Sequence, residues 1–185
     1  METNKNPGVN ITPVLSDIYE DEKRRKKQKL VRNEFVGMGK YGMPLIKKQD
    51  IDLSKLKPWG YTKTKLDDEK NRHKTIHFFT YDWLFETVYD KSERALERLD
   101  QYYALLTPEF STYKDMPLAR QIDSVFKNRW CGAFWQNQGM RVIPTISWGS
   151  PACFEFCFDG VERGAIIAVS TYRREDNKKG FMDGY

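Results

Sequence analysis

Histidine and cysteine are scarce in this chain: two imidazoles, His73 and His77, and three thiols, Cys131, Cys153 and Cys157, among 185 residues. Zinc takes four protein ligands, or three and a water, and these five side chains show no such spacing, so no metal ligand is assigned. His77 lies among Ile76, Phe78 and Phe79, the setting of a core imidazole. Cys153 and Cys157 stand four apart, and with Cys131 they read as small buried apolar groups. A nucleophilic cysteine would need an exposed position and a neighbouring base, and neither is visible.

Other absences narrow the field further. No apolar run approaches the roughly 18 residues of a membrane-spanning helix, and the first residues form no apolar signal segment. The lack of such a run argues for no membrane, and an odd, low number of cysteines in such a chain points to a reducing cytoplasm. No Ser-His-Asp order, HExxH, Rossmann or Walker pattern occurs. Gly37-Met38-Gly39-Lys40-Tyr41-Gly42 is glycine-rich, yet no strand precedes it and no Gly-Lys-Ser/Thr follows, so it reads as a structural turn. With 39% hydrophobic and 14% aromatic residues, the chain is folded rather than disordered.

What is present is a series of four apolar strand candidates with helical stretches between them: Lys74–Tyr81, Tyr102–Leu106, Arg141–Ser147 and Ala165–Ser170. Such alternation predicts an α/β fold, a mostly parallel sheet of at least four strands with crossover helices, for which an incomplete β/α barrel is one form. Each strand ends in a polar or aromatic cluster: Tyr81-Asp82-Trp83, Thr107–Ser111, Ser147-Trp148 and Ser170-Thr171-Tyr172. In parallel sheets ligands bind at the carboxyl ends of the strands, so the clusters mark where a site would lie.

The remaining elements follow from local signals. A turn around Gly37–Gly42 leads to a short strand at Met43-Pro44-Leu45, and Lys57–Tyr61 reads as a surface loop. Lys63–Lys74 is a polar linker. Ser92 caps a helix carrying Ala95, Leu96 and Leu99 on one face. Pro117 opens a long helix to about Gln138, with a stripe of Leu118, Ile122, Val125, Phe126, Trp130, Phe134 and Trp135. Ser150-Pro151 starts a short helix through Phe158.

Charge divides the chain into two parts, residues 1–32 as a basic arm with an exposed helix and 33–185 as the α/β domain. Eight basic residues stand against five acids in 1–32, while the rest is nearly balanced. From Ser16 or Asp17 to about Leu30 a helix is predicted with Glu20–Arg24, Asp21–Arg25 and Glu22–Lys26 pairs at i,i+4. Lys23, Arg24, Arg25, Lys26, Lys27 and Lys29 could hold a phosphate backbone of DNA or RNA by counterion release. A solvated, charge-paired helix explains the same run, and no aromatic residue interleaves it as a stacking platform would require.

Longer motifs carry a resemblance. The series HFFTYDWLFE, LLTPEFSTYKDMP, NRWCGAFWQNQGMRVIPTISWG and FEFCFDGVERGAIIAVST, from about Tyr41 to Tyr185, resembles an uncharacterised family of phages, plasmids and bacterial genomes, domain of unknown function 4417. The resemblance implies phage or mobile-element company and brings no established activity. Against the family pattern, Glu109 stands where an aspartate is usual, and Tyr172-Arg173 where a glycine is usual. Family members also continue beyond the FMDGY segment, and Lys178–Tyr185 resembles a helix begun without an end. A C-terminally incomplete chain is therefore expected.

The chemistry concentrates on few residues. Asp82 and Glu109, each just after a strand, could act as an acid/base pair or admit a divalent metal, although a helix cap for Asp82 and a turn beside Pro108 for Glu109 are the readings the sequence favours. Tyr81 and Trp148 could stack on a base or sugar ring, and Ser111, Ser170 and Thr171 add hydroxyls at the same edge. Arg129 and Gln136, on the long helix, could reach the same edge, which their spacing does not decide. The leading expectation is a protein acting on or near nucleic acid. A metal-assisted or acid/base hydrolase of a small nucleotide or sugar, and a non-enzymatic interaction module, are the alternatives.

Overall fold

The computed structural model describes residues 15–170 and, beyond them, Met182. The chain divides into two compact units, residues 1–32 and 33–185. In the first, α1 runs from Leu15 to Lys27 with an exposed surface from Ile18 onward. Its ion pairs form at i,i+3, Glu20 with Lys23 (3.7 Å) and Asp21 with Arg24 (2.6 Å), in place of the i,i+4 pairs expected.

In the second unit a two-stranded antiparallel ribbon, β1 (Gly37–Met38) and β2 (Met43–Pro44), precedes a four-stranded sheet. That sheet contains β3 (Pro58–Gly60), β4 (Thr75–His77), β5 (Ala104–Leu106) and β6 (Val142–Ile143), all parallel and adjacent in chain order. A further parallel bridge, Thr145 with Ala168, continues the progression, and Ile46 bridges Val161. The sheet advances by one strand at each crossover, as in a barrel, and is not closed. The fold is thus α/β with a parallel sheet, as the alternation predicts.

Two expectations are corrected at the sheet's margins. Lys57–Tyr61 is no loop: Pro58–Gly60 is the edge strand, where proline's missing N–H is tolerated. Ala165–Ser170 is no strand, for only Ala168 pairs and most of the segment is partly exposed. The strands themselves are short, and β-branched or aliphatic residues (Thr75, Ile76, Leu105, Val142, Ile143) are buried in them, as parallel strands covered on both faces require.

Short helices fill the connections. A one-turn 3-10 helix (Asp82–Leu84), α2 (Thr87–Asp90) and α3 (Ser92–Leu99) link β4 to β5. Helix α4 (Leu118–Asn137) links β5 to β6, and a 3-10 helix (Pro151–Glu155) follows β6. The core beneath is aromatic: Phe78 stacks on Trp135 (5.6 Å) and Tyr61 (4.9 Å) and meets Phe85 edge-on, while Trp130 stacks on Phe134.

Helix α4 departs from a simple apolar stripe. Leu118 is exposed, whereas Gln121, Ser124, Asn128 and Arg129 are buried along with Val125, Trp130, Cys131, Ala133 and Trp135. The helix is covered on more than one side, so its polar residues are internal. Gly132 permits that closeness. A Cβ there would lie 2.4 Å from Ile46 Cδ1 and 2.7 Å from Thr107 Cγ2. Gly132→Ala is expected to lower stability by about 1–2 kcal/mol in urea unfolding, because the overpacking outweighs a helix-propensity gain of about 1 kcal/mol.

Candidate functional site at the carboxyl edge of the sheet

The segments leaving β4, β5 and β6 are tied together beneath the edge by a buried polar hub. Asn128 on α4 accepts from Thr107 Oγ1 (2.9 Å) and donates to the carbonyls of Pro108 (2.8 Å) and Thr145 (3.3 Å). Thr107 Oγ1 in turn accepts from the Thr145 N–H (2.7 Å). These bonds satisfy backbone groups that the sheet ladder leaves behind where β5 and β6 end.

Arg129 extends the hub to the next loop. Only 1% of it is exposed, and each of its hydrogen bonds goes to a neutral oxygen. Nε donates to Asp159 O (2.8 Å), Nη1 to Thr145 O (3.2 Å) and Asn128 Oδ1, and Nη2 to Cys157 O. Burial pulls the guanidinium down to about 10, with Cys157 and Asp159 pushing the other way, so it remains protonated at neutral pH. Gly160 (φ 74°) closes the turn above it: a Cβ would meet Pro44 O at 2.6 Å and Arg129 Cγ at 3.1 Å.

At the edge, Asp82 acts as a clamp. Ser111 donates to it twice, N–H to Oδ2 and hydroxyl to Oδ1, both at 2.9 Å. This joins the β4 exit to the β5 exit. Thr112 Oγ1 donates to Ser147 Oγ (3.4 Å), which joins the β5 exit to the β6 exit. The structure therefore brings Asp82 and Ser111 together. Glu109 is half-buried near them in sequence. Among the described residues no three of His, Cys, Asp or Glu are grouped to hold a metal ion.

The aromatic expectations are redistributed. Trp148 is 4% exposed and packs on Phe154 (6.2 Å) and Phe158 (6.3 Å), so its ring fills the core behind the edge. Tyr81 and Trp83 instead stand out from the protein, 56% and 70% exposed, with rings stacked 6.4 Å apart and 11° from parallel. Phe79 and Tyr113 are exposed beside the same exits. His77 stacks on Phe79 (5.2 Å) and is held below its usual 6.5 by burial and then by Lys63. Trp83 had been visible in the Tyr81-Asp82-Trp83 cluster, but nothing in its spacing marked it as the exposed partner.

The other candidates are quickly placed. Ser170 is half-buried, and Thr171 with Tyr172-Arg173 lies outside the described residues. Gln136 does not reach the edge: it grips the Lys47 backbone through both amide atoms (2.8 and 2.7 Å). All three cysteines are free and buried. Cys153 donates to Gln121 Oε1 (2.7 Å), and burial, then Cys153, raises the Cys157 thiol to about 12, which leaves it protonated and unreactive at neutral pH. No helix among the described residues is long and apolar enough to cross a membrane.

Fold and edge together define an α/β domain whose parallel strands advance in chain order and whose exits carry an exposed aromatic pair on a hydrogen-bonded base. The chain belongs to the family described as Domain of unknown function (DUF4417), whose model matches residues 35–185. Over 141 residues it is 39% identical to the Gene 1 protein of Mycobacterium phage L5, covering 76% of this chain and 61% of that protein. Over 96 residues it is 49% identical to the Gene 1 protein of Mycobacterium phage D29, covering 52% and 36% respectively. The chain thus spans less than two thirds of the length of these curated relatives. No solved structure matches it.

Two tests probe the construction. Arg129→Lys is expected to cost about 2–4 kcal/mol in chemical denaturation, since an ammonium cannot reach four oxygens in separate segments and leaves some unsatisfied. Asp82→Ala is expected to cost about 1–2 kcal/mol, with a coupling to Ser111→Ala of about 1 kcal/mol in a double-mutant cycle. A coupling near zero would remove Asp82 from the clamp.

Proposed function

We propose that this chain is a cytoplasmic phage or mobile-element protein that acts on nucleic acid, holding unpaired bases on the aromatic face at the carboxyl edge of its sheet. The observation that carries the reading is the exposed, mutually stacked Tyr81–Trp83 pair. Large rings left in water at a ligand-binding edge call for a partner. A nucleobase supplies a flat apolar face of the right kind, and stacking needs no particular base. The clamp between Asp82 and Ser111 holds the pair's loop against its neighbour, so little ordering remains to be done on binding.

The basic helix supports the same reading. Among the described residues Arg25, Lys26 and Lys27 have no carboxylate within 4 Å, so they are available to phosphates, whereas Lys23 and Arg24 are paired with Glu20 and Asp21 on the exposed helix. The phage origin of the curated relatives is in keeping with work on nucleic acid, as an association and not a mechanism. A carboxylate-based hydrolase is the weaker reading, since both oxygens of Asp82 already accept hydrogen bonds from Ser111.

Fluorescence anisotropy of labelled single-stranded and duplex DNA and RNA against the full chain tests the proposal. Single strands are expected to bind more tightly than duplex. Trp83→Ala and Tyr81→Ala should each weaken single-strand binding by about 5- to 100-fold, the equivalent of roughly 1–3 kcal/mol per stacked base. Undiminished binding by both folded variants would remove the aromatic face from the function, and an absence of binding by the unaltered chain would overturn the reading.

A further inference from the structure

A second surface of the domain has the makings of a phosphate track. The segment after β3 and helix α3 enclose an open hollow of about 430 Å³ walled by Tyr61, Lys65, Lys91, Arg94, Glu97 and Arg98 among others. Four of those six side chains are cations and one is an acid. Lys91, at the start of α3, Arg94 and Arg98 follow one another on one face at spacings of three and four, a reach of about 10 Å at 1.5 Å per residue.

The cations are not consumed by the fold. Among the described residues none of Lys65, Lys91, Arg94 and Arg98 has a carboxylate within 4 Å. Asp68, close in sequence to Lys65, has both oxygens occupied by Tyr102 Oη (2.9 Å) and Asn71 Nδ2 (2.8 Å). Arg98 is held in place by the ring of Tyr61, its guanidinium 4.5 Å from the ring centroid, and so is pre-positioned as a donor. Nearby, Lys63 and Lys74 lie over Trp59 on the edge strand (5.0 and 5.7 Å), which extends the basic surface. By contrast, two cations on α4, exposed Arg120 and half-buried Lys127, are paired with Asp123.

Resting on the nucleic-acid reading above, we infer that this groove binds the phosphodiester backbone of the same single strand whose bases meet the aromatic face. The hollow lies at the small end of ligand-sized clefts and is partly open to solvent, and its cations are strung along a helix instead of converging on a point. That arrangement fits a chain of phosphates better than one terminal phosphate.

The experiment uses the full chain and a labelled single-stranded oligonucleotide, titrated at several salt concentrations. Three proteins are compared with the unaltered one: Lys65→Glu/Lys91→Glu/Arg94→Glu, the milder Lys65→Gln/Lys91→Gln/Arg94→Gln, and Trp83→Ala. Loss of three phosphate contacts is expected to flatten the slope of log K against log salt by about 2, and to weaken binding on the order of 100-fold at 0.1 M salt. The glutamine variant should show the same flattening, which guards against misfolding in the charge-reversed one. Trp83→Ala should weaken binding with the slope unchanged. Normal slope and affinity in both groove variants, with Trp83→Ala still impaired, would overturn the groove and leave the aromatic reading standing. Normal binding in all three would overturn both. Competition by a free mononucleotide that vanishes in the groove variants would reassign the site to a small ligand and overturn the backbone inference.

Discussion

A guanidinium sealed away from water is the constraint on which the edge of this sheet depends. Arg129 carries its charge into the interior with only carbonyl and amide oxygens for company, and those oxygens come from α4, the β6 exit and the loop ending at Asp159. A buried charge is tolerated only where its donors are met. Each of those segments must therefore be in place for the others to be satisfied. The neighbouring Asn128 passes the constraint to Thr107 and Pro108, and so to the β5 exit.

From that hub the edge assembles outward. The β5 exit, fixed from below, presents Ser111 to Asp82, and the clamp between them fixes the β4 exit in turn. The hydroxyls and the carboxylate at the strand ends are largely spent on holding loops together. What remains open to a ligand is the aromatic face outside them, led by Tyr81 and Trp83. A hydrogen-bonded base under exposed rings suits binding by stacking, which needs rigid flat surfaces more than it needs reactive groups.

The sequence was informative where periodicity and position coincide. The β5 exit fell where an apolar run gives way to a polar cluster, whereas β4 and β6 end at His77 and Ile143, well before the clusters at Tyr81 and Ser147. Helix α4 began directly after Pro117 and ended at Asn137, beside the expected Gln138. Legibility failed where burial is decided by partners far along the chain. Pro58-Trp59-Gly60 has the composition of a loop and becomes a strand because β4 lies beside it. Trp148 and Trp83 both follow strands, yet Phe154 and Phe158 cover the first, while among the described residues the second is left 70% exposed. The polar face of α4 was legible as residues but not as an interior, since a helix covered on two sides has no single apolar stripe.

The most direct test of the account is hydrogen–deuterium exchange of the full chain with and without a saturating single-stranded oligonucleotide. The account predicts slowed exchange at residues 79–83 and 111–113 when the strand is bound, with the amides around Asn128, Arg129 and Thr145 already protected and unchanged. Protection confined to residues 15–32, or no change at the edge under saturating conditions, would contradict it.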